Sequence, residues 1–167
     1  MIGLKWSDVD FNTRTLSIKR SANYHYSSKE WKIGEPKSEA GKRTIPLTDE
    51  AIRILKLQKK KNNMIKPIQI EWANFVFLCQ TGTLIKNEAY NSMLDKLCKA
   101  AGIPKFSLHS LRHTFATRCI ELGMKPKTLQ VLLGHSNINI TMNLYVHITE
   151  DEKRKEIEKI MSDLKVV

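Results

Sequence analysis

The chain has 167 residues, of which 41% are hydrophobic, and this is enough for one compact domain with a core. An excess of 28 Lys and Arg over 17 Asp and Glu gives a formal net charge of +11. Such a charge attracts phosphate polyanions, although a merely solvated basic surface is also compatible with it. No apolar run is long enough to cross a bilayer and no signal peptide begins the chain, so we expect a cytoplasmic protein without a membrane partner.

Two strand-like segments lie near the start of the chain. From Thr15 to Ser21 and from Gly41 to Leu47, β-branched and apolar residues alternate with polar ones. The stretch between them is polar, contains Trp31 and Ile33, and ends in a turn at 38–41. This pattern predicts a small antiparallel sheet of two or three strands.

Two helices are expected after the sheet. The capping hydroxyl of Thr48 predicts a helix that ends near Lys61, and 75–78 resembles a short buried strand. A second helix should begin near Asn87 and end at Gly102, since glycine commonly terminates a helix.

Three further helices are expected in the last third of the chain. Ser107 opens one of them, and Pro126 at a first helical position opens a short one that Gly134 ends. Thr149 and Glu152 have the spacing of a capping box for the last helix. Its apolar stripe would comprise Ile157, Ile160, Met161 and Leu164. The whole pattern predicts an α+β fold that is mainly α.

The first candidate site lies in the helix that follows Ser107. His109, Arg112 and His113 stand at i, i+3 and i+4, so they share one helical face. A guanidinium can hold two phosphate oxygens at once, while an imidazole adds a donor or moves a proton near neutral pH. A solvated helix face, or histidines satisfied by backbone carbonyls, would show the same spacing. The opposite face carries apolar residues that would anchor the helix in the core: Leu111, Phe115, Cys119 and Leu122.

The two histidines also have the spacing of zinc ligands on a helix. Arg112 would oppose a dication on that face, and no Glu follows His109 as the metalloprotease pattern requires. The cysteines have neither zinc-ligand nor redox spacing, and they resemble buried thiols of a reducing compartment: Cys79, Cys98 and Cys119. We therefore expect no metal and no other cofactor.

Two more candidate residues lie downstream. His135 follows the helix-ending Gly134, and Tyr145 taken alone is more typical of a half-buried packing residue than of a catalyst. The order His-x-x-Arg-His, then Leu-Gly-His, then Tyr is nevertheless similar to that of tyrosine recombinases of the phage and conjugative-transposon integrase class. Four blocks carry this resemblance: 3–11, 37–46, 109–117 and 133–147.

The resemblance implies the helical catalytic domain of tyrosine recombinases, with its small antiparallel sheet near the N-terminus. Tyr145 would be the nucleophile that forms a 3′-phosphotyrosyl link to DNA and releases a 5′-hydroxyl. Arg112 and His135 would hold the non-bridging phosphate oxygens, and His109 would contact the phosphate and assist the tyrosine proton. A nucleophile, a proton donor and fixed positive charge suffice for this exchange, so neither a metal nor ATP is required.

Lys37 would be the hairpin lysine that protonates the leaving 5′-oxygen, although Lys42 and Arg43 lie close by in the sequence. His113 would support the site without taking part in the chemistry. Double-stranded DNA is the implied partner, and its contacts with basic residues would be sensitive to salt. The candidates for those contacts are Lys42, Arg43, Lys125 and Lys127.

One part of the family pattern is missing. The family places a further catalytic arginine a few residues before the segment Gly3 to Trp6, and an N-terminal core-binding domain before that. Arg14 and Arg20 follow the turn and do not match this arginine. We therefore expect 1–167 to be a catalytic domain truncated at its N-terminus, which binds DNA weakly and cleaves it poorly or not at all.

The resemblance also implies a homo-tetramer on DNA for the full-length protein, with a C-terminal segment exchanged between neighbours. The segment from Thr149 to Leu164 could be exchanged or could pack within its own domain, and the isolated chain is compatible with a monomer. Two alternatives to an integrating or excising recombinase stay open. One is a catalytically inactive DNA-binding module derived from an integrase, and the other is a type IB topoisomerase with the same phosphotyrosine chemistry.

Overall fold

The computed structural model describes residues 2–164, apart from the side chains of 147–152, 155–156, 159 and 162–164. The chain forms two compact units, of which the first ends at Lys105 and the second begins at Phe106. Antiparallel strands near the N-terminus and a helical majority confirm the predicted α+β, mainly α fold. Among the described residues, none of the helices is both long enough and apolar enough to cross a membrane.

The first unit begins with antiparallel strands. They are β1 (Val9–Asp10), β2 (Thr15–Ile18), β3 (Ser21–His25), β4 (Glu30–Gly34) and β5 (Arg43–Pro46). A three-stranded sheet has the order β1-β2-β5, in which Thr15 lies opposite Pro46 and Ile18 lies opposite Arg43. Its two longer strands confirm the pair expected from the alternation of side chains.

β3 and β4 form a separate hairpin in the polar stretch between the two predicted strands, so the described part of this region has five strands where two or three were expected. Tyr24 lies opposite Trp31 in the register of the hairpin, and their ring centroids are 5.4 Å apart. Trp31 also contacts Trp72 edge-on, at 6.4 Å between centroids. Cross-strand aromatic pairs stabilise a two-stranded ribbon, and they offset its polar composition.

Two helices complete the first unit: α1 (Asp49–Asn63) and α2 (Asn87–Ala101). Thr48 Oγ1 accepts the backbone N–H of Ala51 at 3.2 Å, which satisfies one free donor at the start of α1. Gly102 ends α2 in the left-handed region with a φ of 65°. Both helix ends confirm the sequence-based prediction.

The core of the first unit surrounds an extended segment that contains the buried residues Phe75, Val76 and Leu78. The buried amide of Asn62 donates to the carbonyl oxygens of Phe75 and Val76 at 3.2 and 3.0 Å, and so ties α1 to this segment. In place of a regular strand the segment forms isolated bridges, one of which pairs Phe75 with Lys5.

Both arginines that follow the first turn are held in ion pairs. Arg20 donates to both carboxylate oxygens of the buried Asp8, and also to the carbonyl oxygen of Gly3 at 3.3 Å. Arg14 pairs with Asp49 at 2.5 Å. Each guanidinium therefore already has an acidic partner, which agrees with leaving both out of the candidate site.

The second unit contains α3 (Leu108–Glu121), α4 (Pro126–Leu133) and α5 (Ile138–Leu164). Ser107 Oγ accepts the N–H of Ser110 at 3.2 Å and caps α3. Gly134 ends α4 with a φ of 71°, while Pro126 occupies its first turn. These three boundaries confirm the sequence-based prediction.

α3 packs on its neighbours through an arc that includes small side chains. Ala116, Cys119 and Ile120 are buried with Leu129 and Leu133 of α4. The predicted anchor residues other than Cys119 are exposed instead: Leu111 by 46%, Phe115 by 50% and Leu122 by 85%. The predicted anchor face is therefore wrong, because small residues at Ala116 and Cys119 let α4 approach α3 along the adjacent arc.

α5 begins earlier than expected. The side chain of Asn137 accepts the N–H of Asn139 at 2.9 Å, and the helix continues past Thr149 without a break. A helix start at Thr149 is therefore wrong, because neither glycine nor proline interrupts the helix before it. The side chains of the predicted capping box and of one stripe residue lie outside the described ones: Thr149, Glu152 and Leu164. The other stripe residues are exposed: Ile157, Ile160 and Met161.

Candidate catalytic site

Arg112 extends from α3 to the end of α4. Its Nη2 donates to the carbonyl oxygen of Leu133 at 2.7 Å, which is one of the final helix carbonyls that lack a partner within α4. The guanidinium is half-buried, and this burial lowers the pKa of Arg112, although the group stays protonated at physiological pH. Among the side chains that the structure describes, no carboxylate pairs with it.

His109 and His113 form a close pair on α3, which confirms that they share a face. Their Nε2 atoms lie 2.9 Å apart and their rings are nearly perpendicular, at 86°. One Nε2 must donate and the other must accept at this distance, so at least one of the two rings is neutral in this arrangement. Within the described side chains, no group of three or more His, Cys, Asp or Glu is placed to hold a metal ion.

His135 is held at its backbone and at its ring. Gln130 accepts the N–H of His135 on its backbone oxygen at 3.1 Å, and its side-chain amide donates to the carbonyl of His135 at 3.0 Å. The ring Nδ1 lies 2.9 Å from Thr141 Oγ1 on α5. Gln130 and Thr141 are both buried, and sequence analysis missed both. For Gln130 the available signal was a polar residue within an otherwise apolar stretch of helix, whereas Thr141 stands between Asn139 and Asn143 and had no such signal.

Tyr145 lies on α5 one turn after Thr141 and packs against the core of the second unit. Its hydroxyl donates to the backbone carbonyl of Met124, in the loop between α3 and α4. Burial raises the pKa of Tyr145, and the nearby Cys119 raises it further. The phenol is therefore neutral near physiological pH, and its oxygen is engaged by the loop.

Contacts within the second unit connect Arg112 and His135 to the end of α4, and His135 to the helix that carries Tyr145. Arg112 binds the last turn of α4, and His135 lies immediately beyond that turn. Thr141 then joins the ring of His135 to the helix that carries Tyr145. Arg112 and His135 thus lie at the end of α4, while the hydroxyl of Tyr145, on the helix that contacts His135, lies at the loop before α4.

The same region carries an excess of positive charge. The sequence from 106 to 146 contains four Lys and Arg residues and one acidic residue, Glu121, which pairs with Arg118 at 2.9 Å. Lys125 immediately precedes α4, and Lys127 Nζ donates to the amide oxygen of Gln130 at 2.9 Å. Glu121 can neutralise one of these four charges, so most of the positive charge of residues 106–146 is not neutralised by acids of the same stretch.

Lys37 lies in the first unit, in the loop between β4 and β5, and its side chain is exposed. Gly41 allows this loop to fold tightly, since a Cβ at that position would lie 2.5 Å from the Cβ of Pro36. The loop therefore presents Lys37 on a short, constrained segment.

The two other basic candidates near Lys37, one in the loop and one at the start of β5, already have partners. Lys42 Nζ binds Glu35 at 2.8 Å and Glu39 at 3.2 Å, and these hydrogen bonds raise the pKa of Lys42, with Glu35 the larger cause. Arg43 donates to the carbonyl oxygen of Gly41 at 3.0 Å. The carboxylates of Glu35 and Glu39 therefore hold Lys42 within the first unit.

Comparison with known proteins places these residues in a family. The model of the phage integrase family matches residues 1–152. The chain is 33% identical to the transposase from transposon Tn916 of Enterococcus faecalis, over 95% of this chain and 40% of the relative. It is 31% identical to a tyrosine recombinase XerC-like protein of Caldanaerobacter subterraneus subsp. tengcongensis, over 96% of this chain and 44% of the relative.

Solved structures agree with these relatives. An integrase of transposon Tn1549 in complex with a circular intermediate DNA aligns with a TM-score of 0.79 and 35% identity, over 95% of this chain and 52% of that one. The XerA recombinase, at 21% identity and a TM-score of 0.67, shares the fold. The chain thus spans between 40% and 52% of the length of the first three relatives. On the family match and these identities, the chain belongs to the phage integrase family of tyrosine recombinases.

Proposed function

We propose that this chain carries the catalytic centre of a site-specific DNA recombinase, which cuts and rejoins DNA through a 3′-phosphotyrosine to integrate or excise a mobile element. The observation that carries the proposal is the half-buried guanidinium of Arg112 at the end of α4, beside His135. A cation that has lost part of its water, with no carboxylate partner among the described side chains, favours an anionic ligand. The net charge of +11 and the family favour a DNA phosphate as that anion.

Tyr145 is the proposed nucleophile. Its Oη attacks the scissile phosphorus, the bond from phosphorus to the 5′-oxygen breaks, and a 3′-phosphotyrosine forms. His109 accepts the phenolic proton, with His113 orienting its ring through the Nε2 contact. Lys37 gives a proton to the leaving 5′-oxygen, and attack of a 5′-hydroxyl on the phosphotyrosine reverses the steps, so no ATP is needed.

Arg112 and His135 are the proposed holders of the non-bridging oxygens. Charge builds on these oxygens in the transition state, and fixed donors stabilise it without reorganising. The carbonyl of Leu133 holds the guanidinium and Gln130 holds the backbone of His135, so both donors are placed in advance. No metal is required in this scheme.

The arrangement of Tyr145 corresponds to a resting state in this proposal. While its hydroxyl donates to the carbonyl of Met124, the oxygen is directed at the protein backbone and not at a phosphate. The phenol must leave this carbonyl before it can attack. We assign that movement to the interval between DNA binding and cleavage.

Double-stranded DNA is the proposed substrate, and a homo-tetramer on two DNA sites is the proposed assembly. Two solved structures of the Tn1549 integrase contain circular intermediate DNA and transposon right end DNA, respectively. The proposed DNA contacts beyond the reacting phosphate are Lys42, Arg43, Lys125 and Lys127. Because two carboxylates already bind Lys42, we expect Lys125 to contribute more.

A further arginine is expected to act beside Arg112. The family places it before the segment that begins at Gly3. Losing one oxyanion-type donor raises a barrier by about 3–4 kcal/mol, or roughly 100- to 1000-fold in rate. We therefore propose that residues 1–167 bind DNA, and cleavage is measured in a protein that also supplies this arginine, called the extended form below.

Trapping of a covalent complex tests the proposal. Duplexes selected by the protein from random-sequence DNA are nicked beside the cleavage position, so that the 5′-hydroxyl strand diffuses away. In the extended form we expect a denaturant-resistant protein–DNA adduct that Tyr145→Phe abolishes while DNA affinity is unchanged. Tyr90→Phe is the matched control, since it removes the hydroxyl of another half-buried tyrosine and should retain the adduct.

Each other outcome has a meaning. An adduct that persists in Tyr145→Phe would contradict the assignment of the nucleophile. DNA binding without any adduct would indicate a catalytically inactive DNA-binding module. Relaxation of supercoiled DNA without joining of two duplexes would indicate a topoisomerase of the type IB class.

A further inference from the structure

Thr141 provides a buried hydroxyl beside the ring of His135. Thr141 is 0% exposed, and its Oγ1 lies 2.9 Å from Nδ1 of His135. A hydroxyl buried without a hydrogen-bond partner destabilises a fold, so a polar residue at this depth needs a role. The imidazole of His135 is the partner that the structure provides.

We propose that Thr141 is a positioning residue for His135, which holds the imidazole through Nδ1 so that Nε2 is the nitrogen presented to the scissile phosphate. The inference rests on the proposed function, because this orientation matters for catalysis only if His135 binds that phosphate. Thr141 itself does not touch the substrate. It acts through the ring that it orients.

A hydroxyl is suited to this task because it both donates and accepts. It donates to Nδ1 of a neutral ring, which then carries its hydrogen on Nε2. It accepts from Nδ1–H of an imidazolium, which carries a second hydrogen on Nε2. When Thr141 donates to Nδ1 of the neutral ring, and also when the ring is an imidazolium, Nε2–H is therefore a donor, as binding of a phosphate oxygen requires.

The backbone of His135 is fixed independently of Thr141. Gln130 contacts both the N–H and the carbonyl of His135, at 3.1 and 3.0 Å. Loss of the Thr141 hydroxyl should consequently release the ring and leave the peptide in place. Thr141 also stands one turn before Tyr145, so the helix that carries the nucleophile orients the phosphate-binding ring as well.

Two substitutions separate positioning from packing. Thr141→Val keeps the shape of the side chain and removes the hydroxyl, whereas Thr141→Ser keeps the hydroxyl and removes a buried methyl group. We expect Thr141→Ser to have a lower melting temperature than Thr141→Val, since loss of the methyl group leaves a small cavity in a closed core. In the extended form, adduct formation should fall by up to about 100-fold in Thr141→Val and be largely retained in Thr141→Ser. If Thr141 served only to pack the core, the variant with the lower melting temperature would instead form the adduct more slowly.

A double-mutant cycle shows whether the effect passes through His135. In a His135→Ala background, Thr141→Val should change the rate of adduct formation by no more than about twofold. An undiminished loss in that background would overturn the proposal, because Thr141 would then act on Tyr145 or on the helix. DNA affinity measured for each variant excludes a binding defect as the cause.

Crystal structures of the two variants of the 167-residue chain test the geometry without any need for activity. In Thr141→Ser the ring of His135 should keep Nδ1 within hydrogen-bond distance of residue 141, and in Thr141→Val it should rotate away. A ring that is unmoved in Thr141→Val would overturn the proposal. Absence of an adduct in the wild-type extended form would count against the proposed function alone, since the ring orientation is decided separately.

Discussion

At the scale of single residues, the surroundings of Tyr145 determine the hydrogen bond and the pKa of its hydroxyl. It donates to the carbonyl of Met124, and burial raises its pKa above the ordinary tyrosine value near 10. The folded chain therefore binds the phenolic proton more tightly than the unfolded chain. The resulting stabilisation is present below about pH 10 and is lost as the pH rises through the raised value.

This pH dependence of stability can be checked by denaturant unfolding at a series of alkaline pH values. We expect the unfolding midpoint of the wild-type chain to fall more steeply above about pH 10 than that of Tyr145→Phe. The contributions of the other tyrosines are common to both proteins and cancel in the comparison. Parallel curves would show that the folded and unfolded chains hold this proton equally.

The thiol of Cys79 has a pKa below its ordinary value. Burial raises the pKa of its thiol, but hydrogen bonds from the side chains and backbone of Thr81 and Thr83 outweigh burial and lower the pKa to about 7. Because the thiolate is the nucleophile, alkylation of Cys79 by iodoacetamide should rise with pH to a plateau above about pH 8. Mass spectrometry of the labelled peptides measures the rate, with the buried Cys98 as the slow reference. A midpoint near that of an ordinary thiol would contradict the assignment.

At the scale of elements, helix ends were largely predictable because a single residue determines each of them. Thr48 and Ser107 accept free backbone N–H groups, and Gly102 and Gly134 adopt the left-handed conformation that ends a helix. These effects are local, so the sequence alone reveals them. The hairpin of β3 and β4 depends on aromatic contacts across strands and with Trp72, and such contacts leave no local signal.

Two glycines with positive φ provide a test of backbone strain. Gly82 has a φ of 75°, and an added Cβ would lie 2.2 Å from the carbonyl oxygen of Pro67. Gly102 has a similar φ of 65°, but open space surrounds the position of its Cβ. We expect Gly102→Ala to cost about 1–2 kcal/mol in free energy of unfolding through φ alone, and Gly82→Ala to cost clearly more. Equal losses in urea titrations would show that the contact with Pro67 is relieved without cost.

The packing arc of α3 could not be read from its large apolar residues. Both possible arcs contain apolar side chains, and the choice depends on which arc lets α4 and α5 approach closely. Phe115 and Leu122 are consequently exposed, whereas Ala116 is buried. Tertiary packing determines which residues of α3 are buried, and hydrophobic periodicity alone does not specify that packing.

This finding makes a quantitative prediction for the second unit. Leu129→Ala removes a side chain that is 0% exposed, and it should destabilise the fold by about 2–5 kcal/mol. Phe115→Ala removes a larger side chain that is half exposed, and it should cost clearly less. Unfolding monitored by circular dichroism measures both free energies. A larger loss of unfolding free energy in Phe115→Ala than in Leu129→Ala would support the packing face predicted from the sequence.

At the scale of the whole molecule, the basic side chains differ in whether an acidic side chain neutralises them. Lys99 is paired with Asp95 at 3.0 Å, whereas the single acid near Lys125 pairs with Arg118. Phosphates on DNA release counterions when they meet lysine, so each contact adds about 0.9 to the slope of log affinity against log salt. Unneutralised lysines are therefore expected to dominate DNA binding.

Matched substitutions test this distribution. Lys125→Gln should weaken binding to duplex DNA across sequences and reduce the salt slope by about 1. Lys99→Gln makes the same change in net charge and should leave the slope unaltered. Fluorescence anisotropy over a series of salt concentrations gives both slopes. Equal effects of the two variants would mean that net charge, and not its location, determines binding.

The candidate site was predictable from the sequence to a similar extent. The resemblance identifies Arg112, His135 and Tyr145 as candidates because the order of motifs is specific. It does not reveal the residues that connect them, since Gln130 and Thr141 act through contacts made only after α4 and α5 have packed. Side chains that position others are recognised from coordinates, where their partners can be seen.

The unbroken course of α5 through Thr141 and Tyr145 makes the location of the phenol a matter of angular phase. Each residue turns an α-helix by about 100° and advances it by about 1.5 Å. One residue inserted between these two would swing the phenol through roughly 100° about the helix axis, away from the loop that contains Met124. One residue inserted in the loop before Asn137 would preserve the phase. The number of residues between the threonine and the tyrosine is thus fixed by the screw symmetry of the helix.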